Sequence, residues 1–581
     1  MPDLIQLAKT QIDDILKAAY LKAAEKGELP EGAELAGSVE IPKDSANGDF
    51  AANHAMVGAR ALRRAPKLIA EKLIENAELE GSMFASAECA GPGFMNFRLT
   101  DKWYAAVLEA VEASGKDYGR IDDGNGKTVM VEFVSANPTG PMHMGNARGG
   151  VLGDALASVL DRAGYSVARE FYVNDAGNQI DKFAQSIDAR YRQLILGEDA
   201  VEFPEDGYHG DDIRDIAEDF RAEFGDGFAQ KSESERREAM AEFGLKRNIP
   251  KMRSDLERYG IEYDKWFFES TLHESGFVSE TMQKLTELGY TYEKDGAVWL
   301  RTADILAENL RKAGKSEEEI AKLELKDDVL RRANGFYTYF AADIAYHRNK
   351  LETRGFDKAI NVWGADHHGH VARLKGALDA LGLDGEHRLD IVLMQLVKLL
   401  ENGKEVRMSK RTGKMISLSN LLDEVPVDSA RYFFNSRPES TVEFDIELAV
   451  RQDSENPVYY VQYAHARICT MLANLAAEGY AVPAAKDAEL SLLSTEAEKE
   501  LIKQIAALPD QIRAAAREYD PSLIGRYVTE LAARFHKFYT VCRIKGEEPE
   551  LLKARLLLAD CVRQTLENAL SIIGVSAPEK M

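Results

Sequence analysis

The chain has 581 residues, 45% hydrophobic and 29% charged, which is an ordinary globular balance in a chain too long for one core, so two to four domains are expected. No apolar run approaches the roughly 18 residues of a membrane span, and Cys89, Cys469, Cys542 and Cys561 lie far apart without a C-x-x-C, which argues against a disulfide framework or a cysteine-built zinc site. The net charge of −24 speaks against a nucleic-acid partner only until it is divided along the chain: residues 456–581 hold 15 basic and 16 acidic side chains, so nearly all the excess lies before them.

The N-terminus, MPDLIQLAKTQIDDILKAA, reads as an amphipathic helix rather than a targeting segment, and a reducing cytoplasm is the expected setting. GSVEIPK reads as a strand, and AGPGFMNFRL as a glycine-rich turn entering another, so residues 1–115 form an α+β unit. ASGKDYGRIDDGNGK is a linker of small and polar residues. From Lys127 strands and helices alternate, the pattern of a parallel sheet with crossover helices. An insertion near 195–260 interrupts it, with 12 acids and two arginines between 198 and 226. The alternation resumes in IEYDKWFFES, YTYFAAD and KAINVWGAD and continues to about 426. Beyond Val427 strand signals vanish, and residues 427–581 are expected to be a helical bundle.

Thr128 to Tyr165 is the most informative stretch. A β-branched run is followed by a Pro/Gly-rich turn, by His143-Met144-Gly145-Asn146, and by a helix with apolar residues at Val151, Leu152, Ala155, Leu156, Val159 and Leu160. A strand end that leads into a helix start offers free N–H groups and a positive dipole end, which favour phosphate, and Gly145 allows close approach to the backbone. A second basic element, Arg407-Met408-Ser409-Lys410-Arg411, lies far downstream. Together the two resemble the HIGH and KMSKS signatures of class I aminoacyl-tRNA synthetases. Around them SANPTGPMHMGNARGG, FYVNDAGNQ, YTYFAADIAYHRNK, GADHHGHVARLK, NPVYYVQYAHARI, FHKFYTVCRI and a terminal PEKM resemble, in that order, the bacterial arginyl-tRNA synthetase family. Two positions depart from the signatures: Asn146 stands for the last His of HIGH, and Arg407 for the first Lys of KMSKS.

The resemblance implies a doubly wound Rossmann-like catalytic domain (116–426) between an N-terminal tRNA-binding domain (1–115) and a helical anticodon domain (427–581). It implies ATP-dependent ligation of L-arginine to its tRNA through arginyl-adenylate, activation that requires bound tRNA, and Mg2+ carried by ATP. Attack of a carboxylate on the α-phosphorus needs alignment and charge neutralisation rather than an enzyme nucleophile. His143 and Asn146 suit the first task from a helix start, and Lys410 suits the second, with Gly145, Met408 and Ser409 completing the ATP site. A guanidinium wants carboxylates and an aromatic face. Tyr339 and Asp343, four apart, would share a helix face, and Glu269 would add a second acid. By the same resemblance Ser135, Asn137 and His367 would hold the α-amino and carboxylate groups.

Asp366-His367-His368-Gly369-His370 has metal-ligand composition, yet it follows a strand-like run where such sheets bind substrate, so no protein-held metal is expected. Tyr460, Tyr463 and Arg467, with His536, Tyr539 and Arg543, form two aromatic–basic groups suited to unstacked RNA bases, while core packing competes for each aromatic. A monomer without membrane contact is expected. The rival readings are another class I synthetase such as the cysteinyl enzyme, whose cysteine-held zinc the dispersed cysteines oppose, and a non-catalytic tRNA-binding paralogue.

Overall fold

A computed structural model describes residues 3–401, 404–406 and 416–581. At the N-terminus α1 (Leu4–Glu25) buries Leu4, Ile5, Ala8, Ile12 and Leu16, a helical stripe, within an antiparallel sheet unit. Its strands are β1 (Val39–Glu40), β2 (Phe50–Ala52), β3 (Phe84–Ala90) and β4 (Phe94–Leu99), in the order β1-β2-β4-β3. After α2 (Asp101–Ser114) the polar stretch read as a linker is packed instead. Tyr118 is buried with its hydroxyl on the Ile505 carbonyl, and Asn568 donates to the carbonyls of Gly115 and Tyr118. Those partners lie about 390 to 450 residues away, beyond the reach of any local pattern.

The central sheet is all parallel, with the order β12-β11-β5-β6-β7. β5 (Thr128–Glu132) leads through α3 (Met144–Arg162) to β6 (Ser166–Val173). α4 (Asn178–Leu196), α5 (Asp211–Phe224) and α6 (Glu233–Arg258) follow, before the edge strand β7 (Lys265–Phe268). The acidic insertion has a core of its own: α5 lays Ile213, Ile216 and Phe220 against Phe183, Ile187, Tyr191 and Met240. Three antiparallel strands come next, β8 (Thr291–Lys294), β9 (Ala297–Leu300) and β10 (Asp328–Arg331). Then α7 (Tyr339–Arg348), β11 (Lys358–Gly364), α8 (His368–Ala380) and β12 (Leu389–Met394) complete the sheet on the other side of β5. The direction of winding therefore reverses between β5 and β11. In such sheets ligands bind beyond the strand C-termini at that reversal. α3 lies hard against the sheet, because a Cβ on Gly153 would fall 2.1 Å from the Phe133 ring.

One strand was not signalled by the sequence. β13 (Val397–Glu401) pairs antiparallel with β14 (Lys404–Val406) and parallel with β15 (Val442–Asp445), beyond the point where strands were expected to cease. Four residues are too few for a readable period. β15 is held by its pairing and by burial of Val442 and Phe444, the latter stacked on Phe434 at 4.7 Å. α9 (Val427–Phe434) precedes β15, and beyond β15 the described elements are helical, among them α10 (Pro457–Ala477), α11 (Glu496–Ala506), α12 (Leu508–Glu518), α13 (Ser522–Val541) and α14 (Pro549–Ile572).

Two buried arginines lock these parts to α3. Arg148 directs its guanidinium at the carbonyls of Gln395, Leu396, Arg437, Pro438 and Ser440 at 2.5–3.3 Å, with no carboxylate among them. Burial lowers its pKa to about 10, which leaves it charged at neutral pH. Arg431, on α9, pairs with Asp154 of α3 at 2.5 Å and donates to the carbonyls of Tyr259, Gly260 and Ile573. It joins α3, the end of α6 and the end of α14 at one point. Replacing Arg431 with Met should lower the denaturant midpoint by the equivalent of about 3 kcal/mol. That is the low end for breaking a buried pair, since Arg169 still reaches Asp154 at 3.2 Å. An unchanged urea midpoint would show that the junction does not depend on this cation.

Candidate active site

β5 ends at Glu132, and the Pro/Gly-rich turn expected from the sequence takes up the eleven residues between it and α3. The turn begins under strain: Val134 and Ser135 have φ of +67° and +41°, a conformation a β-branched residue rarely adopts. The Ser135 N–H closes onto the Phe133 carbonyl at 3.0 Å. The Ser135 hydroxyl donates to Glu132 Oε1 at 2.9 Å and accepts the Tyr172 N–H at 3.2 Å, which leaves one lone pair for a ligand donor. Asn137 is exposed two residues further on.

His143 is the N-cap of α3. Its Nδ1 accepts the Gly145 N–H at 3.1 Å, so a neutral ring carries its proton on Nε2. Asn146 Oδ1 accepts the His143 N–H at 3.0 Å and completes a capping box. Asn146 is thus partly spent on shaping the helix start, and its amide NH2 is the half that can face a ligand. A Cβ at Gly145 would lie 3.0 Å from the His143 ring, so this glycine makes room for the imidazole as well as for a ligand. His143 also forms an antiparallel bridge to Ser417, and the Leu418 N–H donates to the Met142 carbonyl at 2.8 Å. The chain leaving the second basic motif is therefore tied directly to the start of α3. Arg407, Met408, Ser409, Lys410 and Arg411 themselves lie outside the described residues.

The acids meet across the sheet. Glu269, 3% exposed, accepts the Tyr172 hydroxyl at 2.8 Å and faces His273 Nε2 at 3.3 Å. The Asn174 amide, with its nitrogen turned toward Glu269, adds a donor at 3.1 Å. Burial first, then Glu269 and Asp343, push the Tyr172 phenol well above its ordinary value, so it stays a donor. Both carboxylates thus act electrostatically on one phenol. Tyr339, at the first turn of α7, is 42% exposed and lies over Gly177, whose φ of +81° needs a glycine. Asp343, one turn along, accepts His370 Nε2 at 3.0 Å.

His370 is therefore a partner of Asp343 and stacks near Trp363, 5.7 Å between ring centres. His367 is mostly exposed, 3.8 Å from Asp366. Sequence reasoning grouped these histidines by adjacency; the helix start at His368 sends them in different directions. It missed Tyr172, Asn174 and His370 as pocket residues, and Glu132 as the buried acid behind Ser135. FYVNDAG carried a signal for the first two, since an acid, an amide and a glycine at a strand's C-terminal end are costly unless used.

Buried beneath Asp343, His347 donates from Nδ1 to the Asp343 carbonyl at 2.8 Å, and its Nε2 accepts from Asn361 at 2.7 Å. Burial holds its pKa well below the ordinary value, with Lys350 adding to the effect. Between about pH 6.5 and the depressed native value the unfolded chain binds a proton that the native chain refuses, so stability falls as pH drops. Wild type should therefore lose stability below pH 6.5 more steeply than His347→Gln, measured by denaturant titration at pH 7.5 and 5.5. Equal slopes would mean that His347 is not held neutral.

On the helical side the two aromatic–basic groups form one surface. Tyr460 and Tyr463 of α10 lie 5.0 and 6.3 Å from the His536 ring of α13, and the Arg467 guanidinium sits 4.2 Å over Tyr539. Phe535 and Phe538 belong to the core, and Arg543 is exposed just past α13.

Three family models match the chain in succession. Residues 6–99 match the family model described as the arginyl tRNA synthetase N terminal domain, 108–451 the class I (R) tRNA synthetase catalytic domain, and 461–581 the DALR anticodon binding domain. The chain is 52% identical to an arginine–tRNA ligase of Caldanaerobacter subterraneus and 49% identical to one of Acetivibrio thermocellus, each match covering all of both chains. A crystal structure of a putative arginyl-tRNA synthetase from Campylobacter jejuni matches 83% of this chain and all of its own with a TM-score of 0.72 at 33% identity. The Thermus thermophilus arginyl-tRNA synthetase structure shares the fold, with a TM-score of 0.71 at 20% identity over 97% of this chain and 99% of its own.

Proposed function

The chain belongs to the arginyl-tRNA synthetase family, and on that premise we propose how its residues perform the ligation of L-arginine to tRNA with ATP as co-substrate. The guanidinium enters between Asp343 and Glu269, with Tyr339 as its aromatic wall. Ser135, Asn137 and His367 hold the α-amino and carboxylate end. The observation that carries this reading is a buried carboxylate, Glu269, 3% exposed and bonded to the Tyr172 hydroxyl, with a second carboxylate, Asp343, near enough to help raise that phenol's pKa. An acid in such surroundings is costly unless a cation meets it.

The arginine carboxylate attacks the α-phosphorus, pyrophosphate leaves, and the arginyl group passes to the terminal adenosine of the tRNA. His143 Nε2 and the Asn146 amide, at the positive dipole end of α3, orient the phosphates, with Gly145 leaving room. Met408, Ser409 and Lys410 act on the pyrophosphate, a role carried by the sequence motif, and Mg2+ carried by ATP would neutralise phosphate charge. Tyr460, Tyr463, Arg467, His536, Tyr539 and Arg543 receive the anticodon loop, and residues 1–115 the outer corner of the tRNA. Our reading is of a cytoplasmic monomer, and among the described residues no helix is long and apolar enough to cross a membrane.

Asp343→Asn keeps the pocket's shape and removes one charge. Arginine should then weaken more than citrulline, which is nearly isosteric and neutral, and the ratio of their affinities should fall by about tenfold, equivalent to about 1.4 kcal/mol. Calorimetry with tRNA present measures the ratio, and equal losses would mean Asp343 shapes the pocket without reading charge. Lys410→Ala should lower the activation turnover by about 10²–10³ while the KM for arginine barely moves, the signature of a contact made in the transition state. A raised KM at unchanged turnover would assign Lys410 another task.

A further inference from the structure

Beneath the pocket the buried polar groups form one unbroken line. α7 continues as a π-helical turn, Asn349–Thr353, which carries Lys350 into the core, where it is 0% exposed. Its ammonium donates to Glu132 Oε2 at 2.5 Å and to Asn361 Oδ1 at 3.0 Å, and it stands 4.1 Å from the centre of the Tyr346 ring. Three donors thus meet a carboxylate, an amide oxygen and an aromatic face. In one direction Glu132 holds the Ser135 hydroxyl across the strained turn. In the other, the Asn361 amide nitrogen donates to His347, which donates to the Asp343 carbonyl. The ammonium binds the Asn361 amide oxygen, which turns the amide nitrogen toward His347, so the orientations along the line are coupled. The line starts at Ser135 and ends at Asp343.

We propose that Lys350 is a positioning residue that sets the distance between the two ends of the arginine site, and so the preference for arginine over guanidino acids one methylene longer or shorter. The proposal rests on the reading that Ser135 and Asp343 line that site. Two features favour positioning over stability alone. A buried ion pair contributes little net stability compared with apolar packing of the same volume. And the Val134–Ser135 turn sits in a conformation that persists only where its surroundings over-determine it, which the Glu132–Ser135 bond and the pair behind it do. Lys350 also joins two elements that lead to opposite ends of the site, β5 through Glu132 and α7 through its own helix.

The test compares arginine, homoarginine and 2-amino-4-guanidinobutanoate in equilibrium binding and in charging, with tRNA present, for wild type, K350M, E132Q and the E132Q/K350M double variant. The single variants leave one charge buried and unpaired, so a failure of K350M to fold is answered by the double variant, whose folding is checked by its thermal midpoint. Wild type should prefer arginine by roughly 10- to 200-fold, the worth of one methylene in a fitted site. The folded double variant should lose about tenfold of that preference while its KM for ATP stays within about threefold of wild type. A folded double variant with the wild-type preference would overturn the proposal and leave Lys350 a structural residue. S135A and D343N run alongside: if both bind arginine as wild type does, the reading of the site itself fails, whatever Lys350 does.

Discussion

Sealing an ammonium and a carboxylate away from water costs several kcal/mol per ion, and only close contact with every remaining donor and acceptor satisfied offsets it. Lys350 and Glu132 meet that condition at the centre of the parallel sheet, where β5 ends and β11 runs beside it. Much around them depends on this. The strained turn after β5 is drawn toward Glu132, Asn361 on β11 is oriented by the same ammonium, and His347 is held neutral at its far side. A second pair, Arg354 with Glu170, repeats the device one strand over, with Tyr346 donating to the same carboxylate. The floor of the pocket is thus ionic, while its walls are aromatic.

What the sequence made legible was local. His143 at the start of α3 followed from an apolar helical period and small residues before it, and the structure has the helix beginning at Met144. The parallel strands were readable as short β-branched runs between turn signals. Tyr339 and Asp343 were paired because four residues separate them, and one helix carries both. A change of patterning near residues 115 and 427 was the basis for expecting three divisions of the chain.

What stayed hidden was set by partners far away in the chain. Lys350 and Glu132 are 218 positions apart, and nothing near either announces the other. His370 looked like one of a histidine cluster because adjacency is all a sequence offers; the first turn of α8 gives it to Asp343. The two aromatic–basic groups of the helical region were found separately, and only the packing of α10 against α13 makes them one surface. β15 is a strand by virtue of its neighbour, and the stretch from 115 to 127 is ordered by helices that come more than 350 residues later.

Arg148 binds main-chain carbonyls almost alone, with the Ser436 hydroxyl its one side-chain contact at 3.4 Å. Every residue supplies a carbonyl, so the segments it clamps, 395–396 and 436–440, can change side chains without loosening the clamp, provided their backbone path is kept. The burden falls on one side of the contact. Mutational drift is absorbed by the five acceptors and concentrated on the single donor, which has no substitute with the same planar reach. The joint between α3 and the strands leading to the second motif is therefore tolerant of most changes in its own sequence, and intolerant of a change at one position inside the helix.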